Sequence, residues 1–522
     1  MADYDDDVIP GLKSFTVLLF ALTMGGALHG QTPVVSYLQP AAVAPGGVTE
    51  VTCVGEKLSD ATVLWTSFEA TAVLVPDKSD RNKAVFRITV PAGTAQGVGA
   101  VRLATKTGIS ALRFVLIDDL ASIAAAETNG TMASAQPLKL PIAVEGACRA
   151  EGYSYFKFEA GKGQRIGIDV IARRLGSSLD PLVRVLDQTG RELAYLDDSP
   201  SSDGDCQLVF ISPSKASYVV ELRDTVYGGG SGYRYRMRIG RFPLAAWRFP
   251  EPSTDSALMR SVILTEPNDT LEKAIKVTLP TTITGKFERP KDQDWIEFSS
   301  AKGDRLVVSG WSRGLGSACD VNLALFSADG KKIATSPAGE RDPIVFTNTL
   351  SAAGTYRLRV QELNGLGGSG FVYRVVIATQ APGFSLATDV DQLSVVEGSN
   401  AVVKVTCARR DFNGPIRLAV VGLPAGFEVE SGTIEEKKLE GELKLKIPDG
   451  ARAGELLNFR IVGRASVGDA EFEVQASTMT ALRRVFPDLA YPPAAMDGWI
   501  ALGVRAANST VDVPAPARKK KK

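Results

Sequence analysis

Apolar and polar residues alternate along most of this chain. Ile166, Ile168 and Val170 alternate with Gly167 and Asp169, and Tyr356, Leu358 and Val360 with Arg357 and Arg359. Successive side chains of a strand point to opposite faces, so a period of two predicts half-buried strands. The same pattern runs through 48–55, 84–90, 99–105, 401–407 and 441–448. Lys-Gly, Asp-Gly, Gly-Thr and Gly-Gly-Ser-Gly turn signals separate these runs, and no long helical period interrupts them. The expected fold class is all-β, a tandem array of four β-sandwich domains.

Two of those domains read as copies. The stretch from Glu127 recurs from Glu266, and Phe158, Gly163, Leu175, Asp180, Tyr218 and Gly229 recur as Phe298, Gly303, Leu315, Asp320, Tyr356 and Gly367, each 138–140 residues on. A register that drifts so little marks a duplicated domain, since solenoid repeats are shorter and more numerous. The expected boundaries are 118–243 for repeat 1 and 263–380 for repeat 2. Tyr235 and Tyr373 should then fall at equivalent positions.

The order of motifs in repeat 2 is Glu266-Pro-Asn-Asp269, Gly285 in a strand, Asp292-Gln-Asp-Trp295, Gly303-Asp304, Asp329-Gly330, Gly354-Thr-Tyr356 and Gly367-Gly-Ser-Gly-x-x-Tyr373. This order resembles the bacterial pre-peptidase C-terminal domain, closely in repeat 2 and more loosely in repeat 1. The resemblance implies a β-sandwich, export, and a non-catalytic module often appended to peptidases. It also implies calcium near the linker that opens the domain, as in related collagen-binding modules. Residues 33–117 carry Pro45-Gly-Gly47 before a strand, Val90-Pro91 before a turn and a closing Gly108-x-Ser-x-x-x-Phe114. They resemble the immunoglobulin-like fold of the IPT/TIG type. Residues 384–478 read as a further immunoglobulin-like sandwich, and 479–522 as a tail with a basic end.

Composition narrows the chemistry. Lys+Arg and Asp+Glu are both 59, so no global basic field points to nucleic acid. The one histidine is His29. It lies beside an apolar run, 15–24, that ends in small residues, reads as an export signal (1–30) and is too short to span a bilayer comfortably. Asp3, Asp5, Asp6 and Asp7 precede that run with only Lys13 basic, a departure from the usual flank; initiation at Val8 or Leu12 would remove it. A mature chain starting near Gln31 would lack histidine, so His-dependent triads and His-ligated metals are unavailable. The five cysteines form no Cys-x-x-Cys pair; Cys148 and Cys206 share repeat 1 and could pair in an oxidising compartment.

Two constellations could carry binding. Glu266, Asn268, Asp269, Asp292 and Asp294 are oxygen donors of the type calcium takes; alternatively they cap a short helix at 271–274 and turn into Trp295. Repeat 1 has Gly130, Gly152 and Ser154 in place of the three aspartates, so no shared site is expected. Arg234, Arg236 and Arg238 alternate with Tyr233, Tyr235, Met237 and Ile239. They could present a cationic face to an anionic glycan or acidic partner, or protect a sheet edge. A second acidic run, Asp197, Asp198, Asp203 and Asp205, reads as a solvated loop or a cation site. The reading as a whole is a secreted, non-catalytic binding or adhesion protein of the cell envelope. Its partner is extracellular polysaccharide or protein, and its one cofactor candidate is calcium. The alternative is an accessory protein of a secreted peptidase.

Overall fold

The structure, a computed structural model, describes residues 32–199, 202, 204–242, 244, 260–337, 342–380, 382–467, 470–489 and 492–507. The expected export signal and the basic end lie outside them. The chain is all-β, with β-sandwiches in tandem. Among the described residues the one α-helix is Met479–Val485, and no helix is long and apolar enough to cross a membrane.

The first unit packs a sheet of Val34–Gln39, Val48–Glu56, Lys83–Thr89 and Thr71–Leu74 on one of Ala42–Val43, Arg113–Ile117, Gly97–Thr105 and Ala61–Thr66. Val51, Cys53, Phe86, Ile88 and Leu103 fill the space between them.

The two repeats share one topology. In repeat 1 one sheet runs Ser122–Ala124, Ile142–Ala147, Arg234–Gly240, Arg165–Ile171, Cys206–Ile211, and its mate Gln136–Pro137, Ser154–Ala160, Ala216–Asp224, Pro181–Leu186, Glu192–Leu196. Repeat 2, from Arg260–Ile263 to Val372–Thr379, repeats this order strand for strand. The expected equivalences hold in detail. Tyr218 and Tyr356 each donate to the carbonyl four residues back, Ser214 and Ala352, at 2.7 and 2.6 Å. Asp180 pairs with Arg173 and Asp320 with Arg313. Tyr235 lies opposite Gly146, and Tyr373 opposite Gly285. A Cβ on either glycine would strike the tyrosine ring that lies over it.

Gly229 and Gly367 also stand at one shared position. A Cβ on Gly229 would overlap the Arg149–Ala150 backbone, and one on Gly367 the Arg289 carbonyl. Backbone cannot swing aside as a side chain can. Gly229→Ala and Gly367→Ala are each expected to cost roughly 1–3 kcal/mol, read as a lower urea midpoint for the affected repeat.

One boundary is corrected, and one open question is answered. The C-terminal unit does not end at 478. Ile500–Arg505 pairs with Gln392–Val396 and Leu456–Val467, so the nine-stranded sheet takes in the strands that lie in sequence between Gly383–Ala387 and Ile500–Arg505, both included. Residues 479–489 and 492–505, expected as tail, are part of the fold. Cys148 and Cys206 do not pair: both are buried free thiols, as are the other three cysteines. Cys206 Sγ instead donates to the Pro181 carbonyl at 2.9 Å.

The units are not simply strung in line. The first unit touches both repeat 1 and the C-terminal unit. Arg102 Nη2 meets Asp391 Oδ2 at 2.9 Å, and Thr62 Oγ1 donates to the Gly454 carbonyl at 2.7 Å. Phe114 stacks on Phe486 at 4.1 Å, in a cluster that also takes Ile171 from repeat 1 and Leu482 from the helix. Among the described residues, the core of repeat 2 draws on its own residues alone.

Candidate functional site

The three arginines of Arg234–Gly240 are not an exposed cationic face, and that expectation is corrected. Arg236 is fully buried and Arg238 nearly so. Alternation did separate the faces, since Tyr235, Met237 and Ile239 enter the repeat 1 core. The opposite face is covered by the chain leaving the first unit. Asp118 Oδ2 takes Arg236 Nη2 at 2.7 Å, Arg236 Nε at 2.9 Å and Arg238 Nε at 3.1 Å. Glu145 takes Arg236 Nη1 at 2.5 Å and accepts from the Ala41 backbone N–H at 2.8 Å. Arg174 extends the network, bridging Asp169 and Asp205 at 2.8 and 2.7 Å. Asp205, from the second acidic run, also accepts the backbone N–H groups of Ala172, Arg173 and Arg174. It is a buried anchor rather than loop solvation; Asp203 lies outside the described residues. Arg234 is half-buried, with its guanidinium 3.9 Å above the Tyr37 ring.

The acidic group of repeat 2 does converge, in part. Carboxylate oxygens of Glu266, Asp269 and Asp292 lie within 4.8 Å of one another. Asn268 is buried beside them, and its Oδ1 has no hydrogen-bond partner; neither has Asp292 Oδ1. Asp294 turns the other way. It accepts from the Tyr373 hydroxyl at 2.7 Å and from the Asn268 side chain, and burial pushes its carboxyl up to about 6. Burial and the hydrogen bond to Asp269 raise Asp292, while the same bond and the Arg289 guanidinium hold Asp269 low.

Repeat 1 shows what else can fill this position. The Trp295 N–H donates to the Asn268 carbonyl as the Tyr155 N–H donates to that of Asn129, and Asp292 to Arg289 as Gly152 to Arg149. Arg149 is therefore the counterpart of Arg289. Its guanidinium turns inward and donates to Asn129 Oδ1 at 3.2 Å and to the carbonyls of Ala126, Glu127 and Tyr153. Arg289 turns outward to Asp269 at 2.6 Å and stays exposed. A positive charge occupies the repeat 1 position, and the matching oxygens of repeat 2 have none inside. The capping alternative fits repeat 1, where Thr131 caps the turn Met132–Ser134. In repeat 2 the turn Leu271–Lys273 forms, but Thr270 makes no side-chain cap bond. Sequence spacing found Asp269 and Asp292; the inward or outward turn of the arginine it could not find.

No family model matches the chain. It is similar to a probable subtilase-type serine protease of Deinococcus radiodurans, 26% identical over 191 residues, 34% of this chain and 26% of that protein. The chain thus spans about a quarter of that relative's length. Among solved structures it is similar to the pre-peptidase C-terminal domain of a Bacillus anthracis collagenase: 16% identity, 22% of this chain, 100% of that one, TM-score 0.17. It is also similar to a periplasmic inhibitor of g-type lysozyme from Aeromonas hydrophila: 14% identity, 23% of this chain, 97% of that one, TM-score 0.16.

Proposed function

We propose that this chain is an exported, non-catalytic binding protein of the cell envelope whose ligand is extracellular polysaccharide or protein. In this reading the two repeats are of pre-peptidase C-terminal type and the first unit is of IPT/TIG type. One observation carries the display role. The first unit, repeat 1 and the C-terminal unit share an apolar cluster, while repeat 2 keeps its core to itself. Such an arrangement suits a base of three joined units that presents a further module. The residues of repeat 2 fit calcium. Glu266, Asp269 and Asp292 supply carboxylates and Asn268 a carbonyl oxygen, the hard donors this ion takes; Asn268 Oδ1 and Asp292 Oδ1 accept no hydrogen bond, and Arg289 Nη2 stands 3.8 Å from the latter. Calcium would neutralise the acid pair and fix the entry of the chain into repeat 2.

The second reading is an accessory protein of a secreted peptidase, favoured by the partial match to a probable subtilase-type protease. A glycan and protein array with purified chain in calcium buffer, run beside a casein-hydrolysis assay, separates these. Saturable binding without hydrolysis is the expected result. Hydrolysis by the chain alone would sink the non-catalytic reading, and capture of a peptidase with no glycan signal would favour the accessory one.

A further inference from the structure

A cleft of about 310 Å³ opens where the first unit, repeat 1 and the segment after the C-terminal helix meet. Its wall is rich in guanidinium. Arg113, Arg173 and Arg234 all line it. Among the described residues no carboxylate lies within ion-pair distance of Arg113 or Arg234. Arg113 instead donates to the carbonyls of Val35 and Leu112. Its burial lowers its pKa with no acid to offset that. Arg173 pairs with Asp180 through Nη2, but its Nε is buried without a partner. Of the two acids in the lining, Glu145 is engaged by Arg236 and Asp488 is exposed at the rim.

A half-buried charge without a counterion is costly, and the cost falls when an anion arrives. Guanidinium forks match carboxylate oxygens pairwise. The rest of the lining says what kind of anion. Leu175, Val485 and Pro487 give the cleft a partly exposed apolar wall, and Ser178 and Ser231 add hydroxyls. An apolar wall suits the C–H face of a sugar ring and wastes itself on inorganic phosphate. The volume is at the small end of ligand pockets, about 300–1,000 Å³, so it takes one ring and not a length of chain.

We propose that this cleft binds a carboxylate-bearing sugar, a uronic-acid unit, held through Arg113 and Arg234 between the three units. The proposal rests on the polysaccharide arm of the proposed function and names its site. The test is calorimetric titration of the full chain with D-glucuronate, a short oligogalacturonate, D-glucose and inorganic phosphate. Glucuronate should bind saturably and glucose should not. Arg234→Gln should weaken glucuronate about tenfold or more with the thermal midpoint held. Arg234→Lys, which keeps the charge and loses the fork, should show the same loss and serves if the first variant misfolds. D-Galacturonate titrated beside its oligomer separates the sources: binding of both assigns the site to a terminal unit of a polymer, and binding of the monomer alone assigns it to a free acid. No glucuronate binding, equal binding of glucose or phosphate, or full affinity in both Arg234 variants would overturn the proposal. An array signal that survives Arg234→Gln rejects this cleft and keeps the proposed function. No signal on any glycan or protein rejects both.

Discussion

Asp118→Ala is expected to destabilise the protein by about 3–5 kcal/mol, the cost of removing one partner from a buried ion pair. Charge counting alone argues the other way. The buried network holds three arginines, Arg174, Arg236 and Arg238, against Asp118, Asp169, Asp205 and Glu145. Losing one acid would balance it. Contacts decide instead. One Asp118 oxygen takes both donors of the Arg236 fork and Arg238 Nε. Without it, Arg238 loses its shorter ion pair and keeps the longer one to Asp169, at 4.0 Å. Arg236 is fully buried, so water cannot replace what is lost. Asp118 also joins the first unit to repeat 1, so the damage should extend past one domain. Urea unfolding should show the loss, and limited proteolysis should release residues 32–117 from the variant sooner. Asp118→Leu combined with Arg236→Met should not restore the stability, because it still takes Asp118 from buried Arg238 and now takes Arg236 from buried Glu145. A single variant within about 1 kcal/mol of wild type would show the network to be wet and weak, as surface pairs are.

That network was only half legible in the sequence. Alternation in 233–239 sorted tyrosines from arginines correctly, because period two is local geometry. It could not say what covers the arginine face, since the cover is Asp118, more than a hundred residues upstream. The duplication was legible because each copy needs the same local devices. A glycine must lie under Tyr235 or Tyr373, a second must pass the neighbouring backbone, and Tyr218 or Tyr356 must reach its own carbonyl. The strand Ile500–Arg505 was missed for the opposite reason. Five of its six residues are buried, so it shows a continuous apolar run and no alternation. Prolines on its N-terminal side then made the segment read as tail. In the cation site, both repeats carry an arginine at the same place. Gly130 and Gly152 in repeat 1 offer Arg149 no outer acid, while Asp269 in repeat 2 draws Arg289 to the surface.

Calcium is expected to raise the thermal midpoint of repeat 2 and to leave repeat 1 unmoved. Binding to the folded state alone stabilises by about 2.7 kcal/mol at a hundredfold excess over Kd, roughly 10 °C for a unit of this size. Asp292→Asn should abolish the shift, because it removes a buried carboxylate from the cluster. It should also raise the midpoint in chelator, since the acid pair with Asp269 is then gone. The pH trend supplies a second readout. Burial raises Asp292 and lifts Asp294 to about 6, against about 3.9 for an unfolded Asp. A group raised on folding contributes stability that is full below its unfolded pKa and is lost as pH rises through the folded value. In chelator, repeat 2 should therefore weaken between about pH 4 and 6. With calcium present the sense reverses at Asp292, because the ion binds the ionised carboxylate and competes with its proton. Differential scanning calorimetry of the full chain at pH 4.5 and 7, with calcium and with chelator, reads all of this. Equal midpoints with and without calcium at pH 7 would leave Asp269 and Asp292 to Arg289 alone.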